Sequence, residues 1–178
     1  KKEDQNTIVI DIQSVDQNFM NFMEIDLVAG TNFSLSVLNN FQFPKTDLIA
    51  HVNGKPRTYL LNETAVKAIG WNSPMEALGK QFSWGDAVFN FQRGPIIGMR
   101  KDYHQGSLRN KIDPVVFVYE PVFLGTILIK LNPTKLDQTL SNSDQKWNEI
   151  YPHFPLEYIF LDERFERLYF SEKKQMQI

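Results

Sequence analysis

Hydrophobic and polar residues alternate at the start of the chain. Over residues 6–15 an isoleucine occupies every second position from residue 8 to residue 12, which predicts a half-buried strand. A short helix carrying two phenylalanines and two methionines is predicted at 19–23. An extended piece at 25–28 and a turn at Gly30 follow it, so the chain opens with a strand, a helix and a short extended segment.

The pattern then breaks up and becomes regular again near residue 58. Residues 34–57 hold closely spaced Asn, Gly and Pro residues, which favour a loop with one short strand at 48–52. Residues 58–61 predict a strand, after which Asn62 can cap a helix whose apolar stripe ends before Gly70. The stripe consists of Ala65, Val66 and Ile69.

A second helix start follows directly. Ser73 and Glu76 have the spacing of a capping box, in which the serine accepts from the Glu76 amide while the Glu76 side chain reaches back. Pro74 occupies the first helical position, where its missing N–H costs nothing, and Gly79 ends the short turn.

Three more strands are predicted in the middle of the chain and beyond. Residues 88–91 and 95–101 predict two strands joined by a turn at 92–94, and 114–119 is an apolar run typical of a buried strand.

The last third repeats a strand, a helix and a strand. The strands are predicted at 126–131 and 156–161, with a helix opened by Asn132 between them. The apolar face of that helix comprises Leu136, Leu140, Trp147, Ile150 and Tyr151. Residues 162–178 predict a final helix that no Gly or Pro closes.

Two ends that each predict a βαβ-like unit, with strands and helices inserted between them, indicate an α+β fold in two parts. The inserted part is placed at 58–115, and residues 1–57 and 116–178 together form the other part.

The order of these pieces carries a family resemblance. A strand ending in Asn62-Glu63, a helix, a Pro-x-x-x-Leu-Gly-Lys turn from Pro74 to Lys80 and a strand ending in Lys101-Asp102 follow one another. This order resembles the extracytoplasmic core domain of MacB-type ABC transporter permeases, the group that also holds the FtsX-like permeases. The resemblance covers nearly the whole chain and is weakest over 34–57.

The resemblance implies a non-catalytic periplasmic domain of an inner-membrane protein, anchored by flanking transmembrane helices. Residues 1–57 and 116–178 would form a discontinuous subdomain near the membrane, with 58–115 as the distal one and the final helix as a stalk. The partners implied are a cytoplasmic ABC ATPase, reached through the full-length permease, and a periplasmic adaptor or substrate protein. Efflux, lipoprotein extraction and activation of cell-wall hydrolases all remain open as the activity served.

Two further expectations concern geometry and assembly. The two termini should lie close together with the region 71–89 at the far end, because both termini would enter one helix bundle. The isolated domain is expected to be a monomer, because the family associates mainly through its membrane and ATPase parts. The alternative is a membrane-flanked, extracytoplasmic ligand-binding sensor domain, which a deep apolar pocket with convergent polar groups would favour.

Composition narrows the classes of function. The 178 residues are 42% hydrophobic, enough for a folded core, and a net charge of −2 with a pI near 5.9 offers no general attraction to nucleic acid or to an anionic membrane surface. The absence of cysteine excludes disulfides and thiolate chemistry. No apolar run is long enough for a membrane span. The chain does not begin with Met, and no Gly or Pro closes its last helix, so we expect it to be a part of a longer protein.

Candidate chemistry is sparse. His51, His104 and His153 are widely separated and lack helical ligand spacing, so no metal site is predicted. No nucleotide-binding or nucleophile motif occurs, and we therefore expect no enzyme activity and no cofactor. Residues 102–104, Asp-Tyr-His, resemble an acid/base pair, but turn chemistry before the following Gln-Gly-Ser explains them better.

The aromatic residues offer one candidate surface. Most of them fall on apolar stripes and are assigned to the core. Trp71, Trp84 and Phe89 instead lie beside predicted turns, and they are the candidates for contact with a partner, although core packing is the commoner role of such residues.

Overall fold

The structure, a computed structural model, describes residues 8–34, 44–45, 47–104 and 111–161. The chain divides into two compact units: unit 1 comprises Lys1–Gln105 and Lys111–Gly125, and unit 2 comprises Gly106–Asn110 and Thr126–Ile178. Strands and helices are interspersed along the chain, so the predicted α+β class is confirmed.

In its described residues, unit 1 is built on a mixed sheet of six strands. These are β1 (Asp11–Ser14), β2 (Leu27–Gly30), β3 (Tyr59–Asn62), β4 (Gln81–Gly85), β5 (Asn90–Arg100) and β6 (Val115–Val118). The order is β1-β6-β3-β5-β2, with β4 paired to β5 alone. The pairs β1·β6 and β3·β5 are parallel, whereas β3·β6, β2·β5 and β4·β5 are antiparallel.

Strand β5 joins two parts of this sheet. Near its start Phe91 pairs with Trp84 of β4, and near its end Met99 lies between Leu61 of β3 and Ala29 of β2. The prediction of two strands separated by a turn was therefore wrong, and β4 was not predicted at all.

Gly94 explains the error. A side chain at this position would place its Cβ 1.8 Å from the carbonyl oxygen of Arg57, so the glycine permits a close approach of two backbones. A glycine inside a strand can mark the close approach of another backbone as well as a bend, and the local sequence does not distinguish the two.

Five helices complete the described residues. They are α1 (Phe19–Phe22), α2 (Leu48–Asn53), α3 (Glu63–Ile69), α4 (Pro74–Ala77) and α5 (Leu136–Ile150). Helix α3 confirms its sequence signals: Asn62 accepts a hydrogen bond from the Ala65 amide, and Gly70 ends the helix with a left-handed φ of 94°.

Helix α2 replaces the strand predicted at 48–52. The Asp47 side chain accepts a hydrogen bond of 3.0 Å from the Ala50 amide, and the Gly54 amide donates to the Ala50 carbonyl at the other end. Asp47 was an N-cap signal that the sequence reasoning missed, because the short apolar run after it fits a strand equally well.

The capping box before α4 forms in a modified way. The Ser73 hydroxyl accepts from the Glu76 amide at 3.3 Å, as predicted. The Glu76 carboxylate, however, accepts from the Asn72 amide at 3.0 Å and thus reaches one residue further back than the motif requires.

The core of unit 1 lies on both faces of the sheet. Successive residues of β3 and β6 point to opposite faces, so Leu61 and Val116 belong to one apolar cluster while Leu60 and Phe117 belong to the other. All four side chains are fully buried.

In unit 2 the helix predicted after Asn132 is confirmed as α5, preceded by a 3-10 turn over Pro133–Lys135. The strands predicted at 126–131 and 156–161 do not form, so the second βαβ-like unit was wrong. A strand needs a hydrogen-bonding partner, and no described strand pairs with either segment.

The described residues test several other predictions only in part or not at all. The first strand, predicted at 6–15, is observed as Asp11–Ser14, with 1–7 outside the described residues. The helix at 162–178 and the proximity of the termini also lie outside them. The domain division at residues 58 and 115 stays a prediction, although β2 pairs with β5 and β3 with β6, across the proposed boundaries.

Candidate functional site

The end of β3 carries a buried polar side chain with three hydrogen bonds. Asn62 is fully buried, and its amide oxygen accepts from the backbone amides of Ala65 at 2.8 Å and Val115 at 2.9 Å. Its amide nitrogen donates to the Asp113 carbonyl at 2.9 Å. One asparagine therefore caps α3 and also fixes the entry of β6, a strand that comes much later in the chain.

A second set of hydrogen bonds joins the end of β5 to the same helix. The Asp102 carboxylate accepts from the Thr64 amide at 2.9 Å and from the Thr64 hydroxyl at 2.8 Å. The Asp102 amide in turn donates to the Glu63 carboxylate at 3.3 Å. Together with Asn62, these residues form what we call the Asn62 node: Asn62, Glu63, Thr64, Asp102 and the backbone of 113–115.

The node brings together pieces that the sequence analysis had only placed in order. It also accounts for Asp102, which was weighed as part of an acid/base pair and assigned to a turn. Both of its carboxylate oxygens are engaged at the start of α3, so capping rather than turn chemistry explains the residue. Tyr103 is occupied elsewhere, because its hydroxyl donates to the Gln13 side chain and its ring stacks on Phe117.

An apolar groove of about 220 Å³ opens at the other end of the sheet. Its walls come from β1, from the β4–β5 hairpin and from the end of β6 with the turn that follows. We call it the aromatic groove, and it is lined by Ile12, Ser14, Trp84, Phe89, Phe91, Val118 and Phe123.

Ring contacts build one side of this groove. Phe123 meets Phe89 edge to face at 5.0 Å between ring centroids and stacks on Phe91 at 6.2 Å. Trp84 lies 5.3 Å from Phe91. Such pairs add to the stabilisation from area burial, so the rings support one another as well as the groove.

The hairpin loop that carries Phe89 is held by an exposed carboxylate. Asp86 accepts hydrogen bonds of 2.7 Å from the backbone amides of Val88 and Phe89. The bonds from Phe89 and then Val88 lower the pKa of Asp86, because they favour its ionised form.

The three predicted partner-contact residues do not share one surface. Trp84 and Phe89 line the aromatic groove, whereas Trp71 lies beyond α3, where its amide donates to the Val66 carbonyl at 3.1 Å. All three are half-buried and pack against the same apolar cluster, which agrees with the core-packing interpretation. Phe91 and Phe123 were missed, because only the tertiary structure brings them to Trp84 and Phe89.

A buried ion pair lies directly behind the groove. Arg57 Nη1 and Glu120 Oε2 are 2.6 Å apart, with side chains only 3% and 0% exposed. The Arg57 guanidinium carbon also lies 4.4 Å from the centroid of the Phe91 ring. No sequence signal pointed to this pair, because the two residues are distant in the chain and each lies next to a strand end.

The histidines do not assemble a site. His51 lies in α2, His104 follows β5 and His153 follows α5. In the part of the chain that the structure describes, no group of three or more metal-binding side chains occurs. No helix within these same described ranges is both long and apolar enough to cross a membrane.

Comparison with known proteins gives little similarity. No protein-family model matches the chain, and no curated protein is similar to it at a significant level. Among solved structures, a domain from Porphyromonas gingivalis, described as part of a permease, is similar to this chain. The alignment covers 85% of this chain and 67% of the other chain. The sequence identity is 15% and the TM-score is 0.40.

Proposed function

We propose that this chain is a non-catalytic, extracytoplasmic domain of an ABC transporter permease of the MacB or FtsX-like type. In this proposal it lies in the periplasm, is anchored by transmembrane helices of a longer protein, and transmits ATPase-driven movement to a substrate or partner protein. Efflux, lipoprotein extraction and hydrolase activation are the activities such a domain serves, and the proposal does not choose among them.

The observation that supports the proposal best is the Asn62 node. The residue pairs Asn62-Glu63 and Lys101-Asp102, which carry the family resemblance, lie at the ends of two paired strands, β3 and β5. The side chains of Asn62, Glu63 and Asp102 make hydrogen bonds within the fold, and the exposed Lys101 pairs with Asp26. Such a motif serves the architecture of the fold, which suits a domain that transmits movement.

The sensor alternative receives no specific support from the aromatic groove. Ser14 is the one polar side chain in its lining, and its hydroxyl already donates to the Glu120 carbonyl at 2.8 Å. The groove therefore lacks the convergent polar groups that orient a small ligand.

Membrane sidedness tests the location. The 178 residues contain no cysteine, so one introduced thiol has no background within this stretch. In the full-length protein, Lys67→Cys on the exposed face of α3 should react with a membrane-impermeant maleimide in intact spheroplasts. Val66→Cys, only 2% exposed, is the matched control and should react only after unfolding. Reaction at residue 67 only after cell lysis would contradict a periplasmic location.

Coupling to ATP tests the role. With the full-length protein and its ATPase reconstituted in nanodiscs, spin labels at Lys67→Cys in unit 1 and Ser141→Cys in unit 2 report the distance between the units. We expect the distance distribution to change between the nucleotide-free and the vanadate-trapped states. An unchanged distribution would refute transmission of movement and leave the location to the labelling experiment.

Catalysis is assigned to no residue of the chain. ATP is hydrolysed by the partner ATPase in this proposal, so the isolated chain should not bind ATP in isothermal titration calorimetry. Saturable binding would overturn the non-catalytic assignment.

A further inference from the structure

The Arg57–Glu120 ion pair holds the segment that leads out of the sheet. Glu120 lies two residues beyond the end of β6 and is fully buried. Its backbone is tied to β1, since the Ser14 hydroxyl donates to the Glu120 carbonyl at 2.8 Å and the Glu120 amide donates back at 3.2 Å. Its carboxylate also accepts from the Val122 amide at 3.2 Å and so sets the turn that follows.

Arg57 is fixed from the other side. Its guanidinium donates to the Val52 carbonyl of α2 at 2.6 Å and packs on the Phe91 ring. Its backbone is pressed against Gly94, where no Cβ could be accommodated. The arginine therefore contacts α2 and β5, and the Glu120 carboxylate ties the segment after β6 to it.

The pair is poorly satisfied for a stabilising interaction. Arg57 Nε has no hydrogen-bond partner among the described residues, and Glu120 Oε2 has none besides its charge contact with Arg57. Buried pairs of this kind contribute little net stability, because desolvation offsets their attraction, and apolar residues of similar volume often replace them without loss. A positional role accounts for the pair better than a stabilising one.

The position along the chain suggests what is positioned. Beyond Glu120 the side chains become exposed, with Phe123 at 39% and Leu124 at 38%, and a Cβ at Gly125 would meet nothing within 4 Å. Unit 1 ends at Gly125, and Thr126 begins the long stretch of unit 2. Among the described residues, Glu120 is thus the last fully buried one before the chain enters this stretch, and beyond it the Phe123 ring keeps its contacts with Phe89 and Phe91.

We propose that the Arg57–Glu120 pair is a latch that anchors residues 120–125, the connection from unit 1 to unit 2, to the sheet. Breaking the latch releases this connection while β3, β5 and β6 stay paired. A force that unit 2 exerts through this connection reaches the sheet through the latch, together with the Phe123 ring contacts and the Ser14 hydrogen bonds. The inference does not depend on the proposed permease function, although in a permease the latch would be a point where movement is passed on.

Hydrogen exchange followed by mass spectrometry on the whole 178-residue chain tests the latch. The main variant is Arg57→Met with Glu120→Leu, which removes both charges and leaves no unpaired ion. We expect amide exchange in peptides covering 120–125 to rise about tenfold or more, with 59–62 and 115–118 changed by less than about twofold. Glu120→Gln, which leaves Arg57 charged and unpaired, should release the same peptide and lower the overall stability as well.

The matched control is the exposed ion pair of the same unit. Lys101 Nζ and Asp26 Oδ2 are 3.0 Å apart, with side chains 61% and 68% exposed. Lys101→Met with Asp26→Leu should leave exchange at 120–125 unchanged. Two results would overturn the latch: unchanged exchange at 120–125 in the Arg57→Met, Glu120→Leu variant, or an equal rise over 59–62, 115–118 and 120–125. If Glu120→Gln fails to fold, the double variant decides alone.

Discussion

Unit 1 and unit 2 use the same kinds of residues in opposite surroundings. Unit 1 buries apolar side chains on both faces of its sheet and encloses Asn62 and the Arg57–Glu120 pair. In unit 2 the 15-residue helix α5 has no buried residue, and Ile127 and Ile129 are 77% and 65% exposed. We infer from this difference that burial, more than residue type, decides how much a side chain contributes to the free energy of unfolding.

Capping asparagines make the comparison directly. Asn62 and Asn132 both accept a hydrogen bond from a backbone amide at a helix start, of 2.8 Å from Ala65 and 3.0 Å from Thr134. Asn62 is fully buried and serves two further backbone groups, whereas Asn132 is exposed and its side chain, among the described residues, accepts from the amide and the hydroxyl of Thr134. If the exposed Asn132 side chain is removed, water can take over its hydrogen bonds. If the buried Asn62 side chain is removed, water can do so only by entering the cavity that is left.

The largest expected effect comes from the core of the sheet. Phe117→Ala should lower the free energy of unfolding by about 4 kcal/mol, because the buried ring leaves a cavity between packed neighbours. Ile127→Ala in unit 2 is the matched control and should change it by about 0.5 kcal/mol or less. Urea unfolding followed by circular dichroism measures both. Equal effects would show that burial does not separate the two units.

The next largest effect is expected at the capping asparagines, Asn62 and Asn132. Asn62→Ala should lower the free energy of unfolding by about 3 kcal/mol, because it removes the cap and leaves the buried Val115 amide without this partner. Asn132→Ala should cost about 1 kcal/mol at most, the ordinary loss of an exposed cap. The same urea titrations compare them, and a cost at Asn132 as large as that at Asn62 would refute the distinction.

Stability at alkaline pH offers another comparison of the two units, because tyrosine side chains ionise there. Tyr59 is fully buried and donates to the Gln92 carbonyl at 2.7 Å, and burial raises its pKa to about 12, an effect that the charge of Arg57 opposes. The raised pKa means that the folded state favours the neutral form of Tyr59. Its contribution to the free energy of unfolding is therefore complete below pH about 10 and is lost as the pH rises towards 12.

Tyr59→Phe should therefore flatten the fall in stability between pH 10 and 12, measured as urea midpoints across that range. Tyr158→Phe in unit 2, where the side chain is 56% exposed, is the control and should leave the slope as in the unaltered chain. An identical slope in all three proteins would contradict the role assigned to burial.

The smallest expected effect concerns the end of α5. The Trp147 and Tyr151 rings pack in a tilted arrangement with centroids 4.9 Å apart, and the indole N–H donates to the Phe154 carbonyl at 2.8 Å. Trp147→Ala should cost about 1 kcal/mol or less and shorten the helix by fraying, seen as faster exchange at 147–154. Trp147→Phe keeps a ring and should show a smaller change. Altered exchange in β3 or β6 would mean that α5 stabilises the sheet as well.

Local signals in the amino-acid sequence determined α3 and its ends. A cap at Asn62, a stripe of apolar residues and a glycine at 70 act over at most one helical turn each, so neighbouring residues suffice to specify them. The same holds for the Ser73 cap of α4 and for the apolar run that became β6. Burial of β6 on both faces followed from its continuous apolar character.

Tertiary structure alone decided the rest, because it depends on partners distant along the chain. The strand order, the continuity of β5 through Gly94 and the failure of 126–131 to pair all depend on which backbone lies alongside. The aromatic groove and the Arg57–Glu120 latch join residues from separate strand ends. Asn62 shows both levels at once: its sequence position predicts the helix cap, and only the folded sheet brings Asp113 and Val115 to the same amide group.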